Sequence, residues 1–463
     1  MDLNAARAAL SHLEIDDNPV SVRAKSRDFF WYSPVLKSRL DHITADFVVA
    51  PRSEAQVIEV LKTCYQHNVP VTTRGTGTGN YGQAMPLAGG CILHLHNFNK
   101  IKSIHPGRVI TEPGALLKDI DEACAPSGQE LRMYSSTWAT ATIGGFVAGG
   151  SGGVGSVRWG ALRDLGNIIR LRVVTMEAEP RILEFTGEDM HRISHAYGTN
   201  GIITELEMPL APAYDWVHLF VTMPDFTTAN RFAHDLAAQD GLLIKLATVF
   251  EPPIAQDYFQ RVAPHTKPGQ AVLALMVAPH AMGAFQTFLA RHDAQIIYRS
   301  DSTEWDREPG RVFEYCWNHT TLRAMKVDPS ITYLQVGYGT DDPLALVEQV
   351  RAKFSPEVLQ HIEVTRQNGR VAMGGLSLVK FTTEARLDEI VREHEAMGAM
   401  IFNPHRYTLE EGGRQAVDTR QLDFKREADP KGLLNPGKMI AWDDANWTYD
   451  RMYAYAGLLK AAE

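Results

Sequence analysis

The chain has 463 residues, 44% of them hydrophobic and 22% charged, with a net charge of −9. That is the composition of a soluble globular protein, too long for one ordinary core, so two or more domains are expected. The acidic balance excludes the basic face of a nucleic-acid binder, and no run approaches the roughly eighteen apolar residues of a membrane span.

The N-terminus, MDLNAARAALSHLEIDDN, has early acids and no apolar segment of the kind a secretory signal carries. Cys64, Cys91, Cys124 and Cys316 are scattered without C-x-x-C spacing. They read as small core residues in a reducing compartment, and a cytoplasmic protein is expected. In chain order, Phe47–Ala50 is a short apolar run closed by Pro51, which predicts a strand. Ser53 opens S-E-A-Q, a capping-box pattern, and Val57, Val60, Leu61 and Cys64 then share one helical face. Asn68 ends that helix, and Val69–Thr72 predicts the next strand. Further strands are expected at Cys91–Leu95 and Val109–Thr111, with a helix around Leu116, Leu117 and Ile120. Ile168–Thr175 and the end of GTNGIITELEM (Gly198–Met208) read as strands, and Pro209 and Pro212 mark a boundary near 212. Beyond it, strand-like runs (VHLFVTM, AVLALMVA, ITYLQVGY) alternate with helical ones (TTANRFAHDLAAQ, LALVEQVRAKF, EARLDEIVREHEAMG), which suggests an α+β sheet with helices packed on it.

Two glycine-rich stretches interrupt this pattern: TTRGTGTGNYGQAM (Thr72–Met85) and TWATATIGGFVAGGSGGVGSVRWG (Thr137–Gly160). Glycine lets a ligand approach the backbone, and successive free N–H groups make an anion-binding concavity. The first stretch is therefore read either as a pyrophosphate cradle opened by Arg74 or as a flexible surface turn. It is not a P-loop, because no Lys follows the glycines. Gly77–Gly82 fits G-x-G-x-x-G, but Pro86 prevents the helix a Rossmann fingerprint requires. Two such stretches, each beside strands, suggest one long ligand lying across both.

Taken with DPKGLLNPGK near the C-terminus, these segments resemble the FAD-binding oxidoreductases of the vanillyl-alcohol oxidase, or PCMH, type. The resemblance covers residues 40–212 well and 401–440 in part. It implies an α+β fold in which a two-subdomain FAD-binding domain (40–212) follows an N-terminal extension (1–39). An α+β cap, or substrate, domain (213–400) comes next, and a C-terminal segment (401–463) returns to the flavin. By the same resemblance, Arg74, Gly75, Thr76, Gly77, Thr78 and Gly79 hold the pyrophosphate, and Tyr81 and Gln83 lead toward the ring. Pro113 and Gly114 line the adenine side. Thr142, Gly144, Gly145, Gly149 and Ser151 lie along the ribityl chain and pyrophosphate. Gly201, Ile202 and Ile203 meet the adenine end, and Asn435, Pro436 and Gly437 form the closing turn. Thr78 stands where covalently flavinylated members carry His, and Ser136–Ala139 lacks the Cys of doubly linked members, so non-covalent FAD is expected; a link through a cap-domain His, which some members use, stays open. The metal-binding G-H-x-G-D-G-N-x-H run of the glycolate and D-lactate branch is missing, which disfavours a metal-assisted 2-hydroxyacid dehydrogenase.

The flavin accepts the hydride in such enzymes, and the protein supplies orientation and a base. Two stretches compete for that role. In Asn403–Tyr407, His405 is a candidate base and Arg406 a candidate carboxylate or flavin partner; the alternative is a pair of surface residues bonded to carboxylates. In Tyr315–Thr320, Tyr315 and His319 are candidates; the alternative is a buried aromatic stripe on a cap helix. Tyr333 and Gln335 alternate on a predicted strand and can share a pocket. His94 and His96 have acceptable metal spacing but no visible third ligand, so no metal is expected. The expected activity is oxidation of a small alcohol or hydroxy acid, with oxygen or an electron-transfer partner as acceptor. The alternatives are an NAD(P)H-fed reductase and a non-catalytic FAD-binding protein. Apolar cap strands are compatible with a homodimer.

Overall fold

The computed structural model describes residues 1–302, 308–339 and 341–452, so the end of the C-terminal segment, residues 453–463, lies outside the described residues. The fold is α+β and contains three sheets. In the first, Phe47–Val49 and Val71–Arg74 each pair in parallel with Cys91–His94, and Ile15–Asp16 adds an antiparallel edge. Helix Glu54–Gln66 makes the crossover and buries Val57, Val60, Leu61 and Cys64, the face its periodicity predicts. Ser53 Oγ accepts from Gln56 N at 3.3 Å, and the Gln56 side chain accepts in return from Arg52 N at 2.7 Å. This is a capping box displaced by one residue from the usual reciprocal pair.

The second sheet is antiparallel, in the order Ile101–His105, Arg108–Thr111, Ile202–Pro212, Arg170–Val174, Ile182–Thr186, with Gln129–Leu131 pairing the end of its long central strand. That strand runs through Pro209 and Pro212, so the prolines lie inside a strand rather than in a linker. The third sheet has nine strands, beginning at Val217. Leu219, Val221 and Met223 face helices Phe226–Ala237, Met282–Leu289, Pro343–Phe354 and Glu384–Ala396. Phe220, Val272, Ala274 and Met276 face the other way and join one apolar cluster with Leu171, Leu206 and Met208 of the second sheet. Burial on both faces is why these strands read as unbroken apolar runs.

The first forty residues are more than an extension. Three seven-residue helices, capped by Asp2, Asn18 and Ser33, pack on the first sheet and its surroundings. At seven residues each is too short for a helical period to emerge from its sequence. At the far end, Met400–Phe402 adds a strand to the third sheet, and the chain then returns to the first: Val71 N donates to Leu433 O and Asn435 N to Val71 O, both at 2.8 Å. Among the described residues, no helix is long and apolar enough to cross a membrane.

Candidate functional site

A cavity of about 870 Å³ opens where the three sheets meet. Its first wall is the loop delivered by strand Val71–Arg74. Arg74 staples this loop by donating to Thr76 O at 3.0 Å and to the carbonyl of Arg27. The second wall is the other glycine stretch, part of which is helix Ile143–Gly149 rather than loop. The two walls touch. A Cβ on Gly75 would lie 2.1 Å from Thr142 Oγ1, so only glycine allows this approach. Gln83 Nε2 donates to Gly149 O at 3.1 Å and ties the two stretches together.

Arg74, Gly75, Thr76, Gly77, Thr78, Gly79, Tyr81, Gln83, Pro113, Thr142, Gly144, Gly145, Gly149, Ser151, Gly201, Ile202 and Ile203 all line this cavity. Gly114, Asn435, Pro436 and Gly437 do not. Gly114 lies behind Pro113, its Cα packed so closely on the carbonyl of Leu95 that a Cβ would sit 2.1 Å away. Asn435 acts through others: its amide donates to Gln83 O at 2.8 Å and Tyr197 O at 2.7 Å, holding two lining segments in place.

The third wall comes from the nine-stranded sheet and its connections, including Trp317, Asn318, His319, Gln335, Thr365 and Arg366. Tyr81 Oη reaches across to Gln335 Oε1 at 2.7 Å and Phe402 O at 3.1 Å, which locks the first loop to this sheet. Gln335 lines the cavity; Tyr333, on the same strand, is fully buried outside it.

The expected catalytic residues separate. His319 lines the cavity, and burial lowers its imidazole to about 4, with Arg323 adding to the effect, so it is neutral at ordinary pH. His405, Arg406 and Tyr315 do not line the cavity, and this corrects the expectation that placed them there. His405 is buried, with Nδ1 at 2.7 Å from Ser33 Oγ and Nε2 at 2.9 Å from Tyr333 O, so both nitrogens are committed to the fold. Arg406 is buried against Glu384 and Asp388, each at 3.2 Å. Neither is a surface residue, because the loop that carries them is covered by the N-terminal helix Pro34–Leu40 and by the third sheet. Tyr315 packs edge-on against Phe220 and Phe259 and donates to Pro309 O at 3.2 Å, so it is the buried aromatic stripe.

The sequence reading missed Asp28, Phe29, Tyr32, His195 and Tyr197, all of which line the cavity. Asp28 accepts from Phe30 N at 2.9 Å and Ala84 N at 3.2 Å, and burial pushes its carboxyl up. Lys438, whose charge faces it, donates to Gly82 O at 2.6 Å, and burial pulls its ammonium down. His195 lies 3.0 Å from Gly150 O through Nδ1 and is lowered to about 4 by burial. Its φ of 55° and the 53° of Tyr197 are left-handed, and such residues just before a glycine turn are a signal of close backbone approach. His94 ends a strand and His96 sits on the following turn, their rings stacked 5.9 Å apart. Among the described residues no group of three metal-ligating side chains exists.

The site fits a dinucleotide. Its volume falls in the range of about 300–1,000 Å³ usual for cofactor sites. Glycines free of Cβ form two of its walls, so a long ligand can lie directly against the backbone.

Comparison with known proteins agrees. Residues 45–184 match the model of an FAD binding domain. The glycolate oxidase subunit GlcD of Bacillus subtilis is 30% identical over 437 residues, covering 86% of this chain and 89% of that one. An uncharacterized FAD-linked oxidoreductase of Mycobacterium tuberculosis is 29% identical over 181 residues, which is 36% of this chain and 38% of that one. The match therefore spans well under half of the mycobacterial relative. Among solved structures, alkyldihydroxyacetonephosphate synthase shares the fold at a TM-score of 0.70 and 14% identity, covering 94% of this chain and 86% of that one. Two glycine walls under a third, sheet-borne wall and a near full-length relative place the chain in one group: it belongs to the FAD-binding oxidoreductases of the vanillyl-alcohol oxidase, or PCMH, type, and its cofactor is FAD.

Proposed function

We propose that this protein oxidises the carbinol carbon of a small 2-hydroxy acid. One observation carries the reading: the glycine walls and a polar wall bearing a neutral histidine, His319, line the same cavity. The name of the Bacillus relative supplies the substrate class. The histidine run missing from this chain concerns a metal, and the reading does not depend on one.

When bound, FAD supplies the acceptor for the hydride that leaves the carbinol carbon. The first glycine loop, residues 75–79, and the second glycine stretch would hold its pyrophosphate, and Thr78 and Ser136–Ala139 offer no covalent anchor. His319 takes the hydroxyl proton. Its basicity is depressed by desolvation and by Arg323. A bound carboxylate restores it, because a negative neighbour favours imidazolium. Arg414, exposed at the mouth of the cavity, adds positive charge where an anionic substrate enters. His405, Arg406 and Tyr315 take no part, since their polar atoms are bonded elsewhere. The electron acceptor is oxygen or a redox partner.

The test is anaerobic mixing of yellow holoprotein with glycolate or D-lactate. Bleaching of the visible flavin band is expected with at least one, and acid precipitation should leave the colour in solution. Bleaching by dithionite but by no member of a 2-hydroxy acid panel refutes the reading. Bleaching by NADPH alone would revive the reductase.

A further inference from the structure

The charges that line the cavity are unevenly placed. At the first loop Arg74 and Asp28 face each other. Elsewhere on the lining stand three arginines, Arg163, Arg366 and Arg414, against one carboxylate, Asp164. In a chain of net charge −9 this is a local reversal of sign. Arg366 donates only to carbonyls, those of Val157, Gly369 and Ala237, at 2.9–3.1 Å, so its charge is not cancelled by a carboxylate.

Arg163 keeps only 9% of its side-chain surface exposed. Its Nε lies 3.3 Å from His191 Nδ1, and Nη2 donates to His191 O at 3.0 Å and reaches Asp418 Oδ2 only at 3.4 Å. Nη1 has no partner among the described residues. Arg414 is exposed and has neither a hydrogen bond nor an ion pair among the described residues. The turn that carries it is anchored: the next residue, Gln415, is left-handed at φ 61°, and its amide donates to Ile401 O at 3.1 Å and Tyr449 Oη at 3.0 Å. Burial and the Arg414 charge both lower Arg163, and Asp418 offsets only part of this. A desolvated guanidinium beside a second cation is costly, and an anion in front of both relieves it. Long-range steering alone requires no buried charge.

Two placements say which anion. The first loop meets helix Ile143–Gly149 at its start, where Gly75 packs on Thr142. Arg163 adjoins the chain beyond the end of that helix, since Leu162 N donates to Ser151 O at 2.9 Å. Seven residues of helix separate the two by about 10 Å, so the arginines stand apart from the pyrophosphate cradle. His319 and Gln335 on the third wall are part-buried, whereas Arg414, Asp164 and Asn368 are exposed. The cations therefore lie outward of the polar wall.

We infer that Arg163 and Arg414 form an anion-binding subsite at the mouth of the cavity, and that the substrate is a 2-hydroxy acid with a second anionic group, a carboxylate or a phosphate, seated there. The inference rests on the hydroxy-acid reading and names the substrate class within it. Guanidinium groups present paired N–H donors to such an oxyanion. A hydroxy acid without the second group leaves the subsite unfilled and gains nothing from it.

Holoprotein, Arg414→Gln and Arg163→Lys are compared on D-lactate, D-malate and 3-phospho-D-glycerate at about 0.15 M salt, where charge is screened beyond about 8 Å. The parent should prefer D-malate or 3-phospho-D-glycerate to D-lactate by about tenfold in kcat/KM, and the better of the two names the anion. Both variants should lose most of that preference, chiefly through KM, with FAD content and visible spectrum unchanged. Arg414 lies on the surface, so Arg414→Gln decides the matter even if Arg163→Lys folds poorly. Absence of a preference in the parent overturns the inference. So does an equal loss on all three acids, which would place their shared carboxylate on the arginines, and so does loss of FAD, which would make the cofactor the ligand. Succinate and inorganic phosphate, titrated by calorimetry, separate the subsite from the reaction. If no acid is oxidised but one of these binds the parent about tenfold more tightly than Arg414→Gln, the subsite stands and the proposed reaction falls. If D-lactate is oxidised and the doubly anionic compounds are neither preferred nor bound, the subsite falls and the reaction stands.

Discussion

His405 provides a sharp test, because its two possible roles predict opposite results. The carbonyl of Tyr333 can only accept, so Nε2 carries the imidazole proton, and Nδ1 accepts from the Ser33 hydroxyl. Ser33 Oγ also caps helix Pro34–Leu40 by accepting from Leu36 N at 3.0 Å. The neutral ring is thus fully satisfied, and burial, with Arg406 beside it, lowers the group from 6.5 to about 3. A histidine whose folded value is depressed contributes its full stability above the unfolded value. That contribution is lost as pH falls from 6.5 toward about 3. Between about pH 7 and pH 5 the unfolded imidazole protonates and the folded one does not, a loss of about 2 kcal/mol. His405→Gln removes this titration. The variant should be less stable by about 1–3 kcal/mol at neutral pH, because it breaks the Ser33–Tyr333 link. Its decline toward pH 5 should be shallower than the parent's by about 2 kcal/mol. Urea unfolding midpoints at both pH values measure this, and the other buried histidines cancel in the difference. Parallel stability profiles would refute the structural role. Loss of turnover at every pH, with FAD retained and stability unchanged, would make His405 the base after all.

Gly144 tests the cofactor cradle. A Cβ there would stand 2.6 Å from Pro113 Cβ and 2.8 Å from Pro113 O, so Gly144→Ala should push helix Ile143–Gly149 off its seat. A cost of about 1–3 kcal/mol is expected, with a protein purified partly colourless; full FAD content at parental affinity would count against the cradle. Lys425 tests the closing turn. Its Nζ lies 2.8 Å from Asp429 Oδ2 and donates to Thr199 O at 2.6 Å, all buried. Lys425→Met leaves the Asp429 charge unpaired and should cost about 3–5 kcal/mol, much of it recovered by adding Asp429→Asn. Equal stability of the single and double variants in denaturant titration would dismiss the pair.

Helix Glu54–Gln66, the strands around it and the two glycine stretches were legible because their signals are local. A capping serine, an apolar period and a run without side chains each act within a turn or two of chain. The joint order of the glycine stretches and the closing NPG turn was enough to indicate FAD, since backbone approach to a long anionic ligand demands those residues wherever the chain runs. The walls of the site beyond the glycines were legible only in part: Pro113, His319 and Gln335 could be named from the sequence, but not told apart from their buried neighbours. Tyr315 and His319 stand four residues apart in one aromatic-polar stretch, and only the packing of Phe220 and Phe259 decides that the first is core and the second faces the cavity. Ser33 and His405 are separated by 372 positions, and no local pattern announces that a loop histidine will be sealed between a distant serine and a strand carbonyl. Asp28, Phe29 and Tyr32 enter the site because Phe29 N donates to Gly79 O at 2.7 Å, a contact made possible only once the first sheet has formed. The sequence determined which segments form and which cofactor they suit, because those depend on short-range geometry. Tertiary structure alone decided which ionisable side chains face the cavity, because burial and pairing depend on what other parts of the chain bring against them.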